Sequence, residues 1–150
     1  MPKNPTFKHD LDISQDPYYH MLRMVFTRWK PFLLHAFTFE TSETIFFSHF
    51  LKQLPISPKV LSENLKELEA DGLIEREIVP ANPPRTCYRL SAKGSELIPI
   101  LDAVYRFGRQ DMLEHGLPVD ELGEMWHGYR DRDESLMRYP YLPVDKPEWD

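Results

Sequence analysis

A single cysteine, Cys87, among 150 residues leaves no partner for an intrachain disulfide. Stability must then come from a packed core, and such cysteine usage suits a reducing cytoplasm. Long apolar runs are also missing: none reaches the roughly 20 residues that cross a bilayer. The opening Met1-Pro2-Lys3-Asn4-Pro5-Thr6-Phe7-Lys8 has no apolar stretch of the secretory kind. The 6 glycines form no phosphate-cradling loop, and neither a nucleophile elbow nor paired catalytic carboxylates stand out. His9, His20, His35, His49, His115 and His127 are scattered, with no second ligand at finger or metalloprotease spacing. The expectation is a protein that is not an enzyme and needs neither metal nor cofactor.

A surplus of positive charge is absent too. The net charge is −6, of which 1–114 carry −1 and 115–150 carry −5. Affinity for any duplex rests on neutralising phosphates, so a near-neutral body predicts weak binding away from a specific site. What the chain does have is apolar residues at 41%, aromatics at 13% and 14 prolines, enough for one core with marked corners.

The most informative stretch runs from Phe46 to Leu90. Ser57 is a natural N-cap and Pro58 takes the first helical position, where its missing N–H costs nothing. Val60, Leu61, Leu65 and Leu68 recur at helical spacing, while Lys59, Ser62, Glu63 and Lys66 fall on the other side. Gly72 ends the helix as a left-handed residue. A helix over about 46–53 precedes it, with Phe47, Phe50 and Leu54 inward, and Leu54-Pro55-Ile56 makes a short corner. Two helices joined so tightly suggest a helix-turn-helix, although an ordinary helical pair has much the same pattern. Leu73-Ile74-Glu75-Arg76-Glu77-Ile78-Val79 and Thr86-Cys87-Tyr88-Arg89-Leu90 then alternate as strands. Tyr88 and Leu90 face one way, Cys87 and Arg89 the other. The prolines between the strands forbid a continuous ladder, so a wing-like hairpin is expected, with Asn82 and Arg85 placed to meet a phosphate backbone.

These residues resemble the HxlR-type winged-helix transcriptional regulators. The matching run includes Leu54-Pro55, Ile56-Ser57-Pro58-Lys59-Val60-Leu61, Leu65 to Ile74, Pro80, Pro83-Pro84-Arg85, Tyr88, Leu90, Gly94, Leu97 and Pro99-Ile100-Leu101, within about 16–112. The resemblance implies a homodimer on double-stranded DNA, with two recognition helices in successive major grooves, and it names no small-molecule inducer. Asp16 stands where many relatives carry a sensor cysteine, so thiol sensing does not carry over; Asp16 reads instead as an N-cap. The corner is one residue shorter than the usual Leu-Pro-Gly-Ile. Thr27-Arg28-Trp29-Lys30 replaces the usual Gly-Lys-Trp, with Trp29 expected in the core and Arg28 or Lys30 either solvated or on phosphate.

The expected architecture is α+β: a mostly helical winged helix-turn-helix with a two- to three-stranded β wing and a long C-terminal dimerisation helix. Residues 1–15 form an arm, 16–114 the DNA-binding and dimerisation domain, and 115–150 an acidic, aromatic-rich extension. Tyr18, Leu22, Val25 and Phe26 mark the first helix, a second begins at Pro31, and 38–45 reads as a loop. Ser91 caps the last helix, whose stripe Leu97, Leu101, Val104, Tyr105, Gly108 and Met112 outlasts a small core. Val104, Tyr105, Gly108 and Met112 are therefore expected at a dimer interface. Leu122, Met125, Trp126 and Tyr129 have the spacing of a short amphipathic helix, expected to pack back on the dimer. Two functions fit: a regulator reading a near-palindromic operator, or a winged helix kept as a protein-interaction module that uses its acidic extension.

Overall fold

The computed structural model describes residues 12–39 and 43–119. A 3-10 turn, Ile13–Gln15, leads to Asp16, whose carboxylate accepts from the Tyr18 amide at 2.8 Å and caps helix α1, Pro17–Met24. The cap and the proline at the first turn begin the helix as their chemistry dictates. The expected inner side of α1 is only partly realised. Val25, just past its end, is fully buried and Phe26 half-buried, but Tyr18 is 84% and Leu22 56% exposed.

Helix α2, Lys30–Phe39, is the opposite case: Leu33, Leu34, His35, Ala36, Phe37 and Thr38 are all buried. A helix covered on nearly every side belongs at the centre of the molecule. Its buried polar side chains have close polar or aromatic neighbours. The Thr38 hydroxyl donates to the His35 carbonyl at 2.6 Å. The His35 ring lies 4.9 Å from that of Tyr105, and its Nε2 is 4.0 Å from Asp102, whose other oxygen receives Arg106 at 3.0 Å.

The expected loop over 38–45 is corrected at both ends. Helix α2 continues to Phe39, and Ile45–Phe46 form a two-residue strand, β1. So short a strand has no periodicity to read. It exists because Ile45 sinks into the core opposite Tyr88, with Phe46 opposite Cys87. Helix α3, Phe47–Gln53, follows, burying Phe50 against Phe37 and Tyr88 at ring distances of 6.1 and 6.4 Å. Leu54 closes the corner, buried as expected.

Helix α4, Pro58–Ala70, starts at Ser57, whose hydroxyl accepts from the Val60 amide at 3.2 Å, and buries Leu61, Leu65 and Leu68. Gly72 has φ +74°. That left-handed residue lets the Leu73 amide reach the Leu68 carbonyl and the Gly72 amide reach the Glu69 carbonyl, both at 2.9 Å, a Schellman ending. Strands β2, Ile74–Val79, and β3, Arg85–Leu90, pair antiparallel in the order β1-β3-β2. Tyr88 is buried against Phe50, and Cys87, on the opposite face, is buried between its cross-strand neighbours Phe46 and Glu77.

Helix α5, Ala92–Glu114, is capped by Ser91, whose hydroxyl oxygen accepts from the Gly94 amide at 3.0 Å. Its first turn is clasped to the end of α4. The Ser91 hydroxyl donates to the Gly72 carbonyl, the Ser91 amide to Leu73 at 3.1 Å, and the Lys93 ammonium to the Asp71 carbonyl at 2.9 Å. Gly94 permits this approach, since a Cβ there would lie 2.0 Å from the Leu73 carbonyl oxygen. The architecture is therefore an α+β winged helix with a long C-terminal helix. Most of the expected arm and the amphipathic stretch Leu122 to Tyr129 lie outside the described residues.

Candidate nucleic-acid interface

Helix α4 is held by its apolar side and ordered at both ends, leaving its outer residues for something else. Lys59, Glu63 and Lys66 are exposed and Ser62 is half-buried, all on the side away from Leu61, Leu65 and Leu68. Ser57 belongs to the same end, but its hydroxyl already serves the Val60 amide. Asn64 turns inward along the helix, donating to the Val60 carbonyl at 2.8 Å. The outer face thus offers two ammonium groups, a carboxylate and a hydroxyl, a set suited to phosphates and base edges in a major groove.

Asn82 and Arg85 flank the proline-rich tip, and both are exposed. The Asn82–Pro83 peptide is cis. Arg85 opens β3, and its guanidinium carbon sits 3.7 Å above the centre of the Phe46 ring. A guanidinium on an aromatic face loses part of its freedom while keeping its donors. Phe46 is a residue that sequence reasoning does not assign to the site; a β1 pairing with β3 is the signal needed to find it. Further along the hairpin the charges are paired: Arg89 with Glu75 at 2.7 Å, and Arg76 with Glu69 of α4 at 3.8 Å.

Two basic residues at the start of α2, Arg28 just before it and Lys30 its first residue, divide sharply. Arg28 is exposed and lies 5.1 Å over the Trp29 ring, which packs against the core as expected. Lys30 is only 3% exposed, so its expectation as a phosphate contact is corrected. Its ammonium is 2.6 Å from the Glu67 carboxylate and donates to the Arg23 carbonyl at 3.4 Å.

The expected dimer stripe on α5 is likewise sorted. Val104 is 52% exposed, and Gly108 is open, with nothing within 4 Å of the place a Cβ would take. Met112 is half-buried, and Tyr105 is half-buried because its ring lies against His35. Ile100 and Phe107, absent from the expectation, are 50% and 67% exposed. Ile100, Val104 and Phe107 follow helical spacing, so α5 carries an uncovered apolar strip beside Gly108.

Among the described residues no group of three His, Cys, Asp or Glu side chains is placed to hold a metal ion. No described helix is long and apolar enough to cross a membrane.

The family model described as HxlR-like helix-turn-helix matches residues 24–115. An uncharacterised HTH-type transcriptional regulator of Methanothermobacter thermautotrophicus is 45% identical over 64 residues, covering 42% of this chain and 49% of its own. The chain thus spans about half of that relative's length. The uncharacterised HTH-type transcriptional regulator BH0655 of Halalkalibacterium halodurans is 34% identical over 98 residues, 65% of this chain and 85% of its own. Among solved structures, the redox regulator HypR in its reduced form is similar with a TM-score of 0.59 and 30% identity, over 67% of this chain and 99% of that one.

Proposed function

The chain belongs to the HxlR-like helix-turn-helix family, whose named relatives are transcriptional regulators, and from that premise we propose that it reads a near-palindromic operator as a homodimer. The observation that carries the proposal is the outer face of α4. Lys59, Ser62, Glu63 and Lys66 share one side of a helix that is capped, terminated and fixed to the core. Arg85, resting on Phe46, and Asn82 supply backbone contacts from the wing, and Arg28 a further one beside Trp29. Each ammonium or guanidinium that meets a phosphate releases counterions. With a body of net charge −1 over 1–114, one protomer holds too few such contacts, and two protomers supply the affinity.

The second copy is met by the strip Ile100, Val104 and Phe107 with Gly108, joined by the exposed Tyr18 and Leu22 of α1. Full burial of apolar side chains of this size contributes about 1.5–3 kcal/mol each, and covering the exposed half or more of these contributes the corresponding part. The relative named as a redox regulator does not lend its signal to this chain. Cys87 is 3% exposed, and burial pushes its thiol pKa up, which disfavours the reactive thiolate. A second reading, a protein-interaction module using 115–150, is favoured by the near-neutral body and the charge of −5 in that extension.

Selection of duplexes from a random pool by the full-length protein, followed by gel shift, tests the proposal. A selected site with two inverted half-sites, one helical turn or a multiple of it apart, is expected. A protein that enriches no duplex would leave the interaction-module reading in its place.

A further inference from the structure

Lys30 is a buried charge with an exposed partner. Its side chain is 4% exposed and that of Glu67 62%. The ammonium joins three elements: the Arg23 carbonyl at the end of α1, the first residue of α2, and the flank of α4 at Glu67. Holding an ammonium at this depth is costly unless it is paired. Stability alone is therefore a poor reason for a lysine here.

Glu67 supplies a better one. It follows Lys66 directly and lies one turn beyond Glu63. Its carboxylate stands at the border of the outer face of α4, where a phosphate chain would repel it. The Lys30 ammonium, 2.6 Å away, holds that carboxylate toward the protein and cancels its charge. We propose that Lys30 is a positioning residue for DNA recognition, acting through Glu67 to keep a repelling carboxylate neutralised beside the reading face. It touches no phosphate itself. The inference rests on the DNA-reading function above and adds a role for a residue inside the core.

The test compares full-length wild type, Lys30→Met and Lys30→Met/Glu67→Gln on a duplex that the wild type selects from a random pool, across a salt series. Methionine keeps most of the apolar stem and removes the charge. Lys30→Met should weaken binding by about 3- to 30-fold, the range that indirect couplings reach. Glu67→Gln in that background should restore affinity to near wild type, with the wild-type dependence on salt. A double variant that stays weak, with a salt slope smaller by about 0.9, would make Lys30 a direct phosphate contact. Equal binding by wild type and Lys30→Met overturns the proposal, as does an affinity loss accounted for by the unfolded fraction in parallel melting curves. A wild type that selects no duplex overturns the DNA reading itself, and this inference with it.

Discussion

Gly94→Ala should be among the most damaging single-methyl additions in the chain. The added Cβ would lie 2.0 Å from the Leu73 carbonyl oxygen, 3.0 Å from its carbon and 3.2 Å from a Leu90 methyl. Reaching even 3.0 Å from that oxygen requires a shift of 1.0 Å. Leu73 cannot easily give way, because its amide is bonded to Leu68 at 2.9 Å and its carbonyl to Ser91 at 3.1 Å. The first turn of α5 must move instead, breaking the bonds from Ser91 and Lys93 to the end of α4. Overpacking costs about 1–3 kcal/mol and each lost hydrogen bond about 1 kcal/mol. Alanine's better helix propensity returns about 1 kcal/mol. The net is a loss of about 2–4 kcal/mol, or roughly 8–16 °C in melting temperature for a domain of this size. Thermal unfolding by circular dichroism, at one protein concentration because dimers melt by mass action, reads it directly. A variant melting within about 2 °C of wild type, less than 1 kcal/mol, would refute the close approach of α5 to α4.

Lys59→Ala and Lys66→Ala should each weaken operator binding by about 1–3 kcal/mol, lower the salt slope by about 0.9 and leave melting nearly unchanged; variants that bind like wild type would move the reading face elsewhere. Phe107→Glu or Gly108→Glu should shift the protein toward monomer in sedimentation velocity, and a dimer unaffected by both would remove this part of α5 from the interface. Cys87→Ser should respond to oxidants as wild type does, whereas loss of an oxidant-triggered release of DNA would make Cys87 a sensor. His115 should titrate above the usual imidazole value, first because of the Asp111 carbonyl at 2.8 Å and then because of the Asp111 charge. Since the folded pKa is raised, the favourable interaction is complete below the unfolded pKa and fades as pH rises through the folded one. An NMR titration with a midpoint below that of a free imidazole contradicts this, and Asp111→Asn should lower the midpoint only in part, because the carbonyl remains.

The parts of the fold legible in the sequence are those fixed by local chemistry. Ser57-Pro58 and Gly72 mark the two ends of α4, and the cap and the Schellman bonds lie there. Asp16 and Ser91 start α1 and α5 for the same reason. Strand β1 is not legible because two residues carry no period, and Ile45 and Phe46 are held only by their partners on β3. Burial along α1 escapes the sequence because helical spacing shows that Tyr18 and Leu22 share a side with Val25, not which neighbours cover that side. On α5 the same ambiguity divides the stripe between partners. Tyr105 is occupied by His35 within the chain, while Ile100 and Phe107 remain uncovered beside Val104.

Lys30 shows where sequence reasoning about a site runs out. A lysine beside Trp29 at a helix start has the features of a phosphate contact, and so does Arg28 two residues earlier. Residue type and spacing do not separate them; the separation depends on Glu67, 37 positions away, approaching one and not the other. Arg28 keeps its guanidinium over an indole at the surface, and Lys30 sends its charge inward to a helix flank. On the proposed reading of α4, a charged residue near that helix serves recognition from outside or from beneath. Which one it does is decided by a tertiary partner that only the folded chain brings within reach.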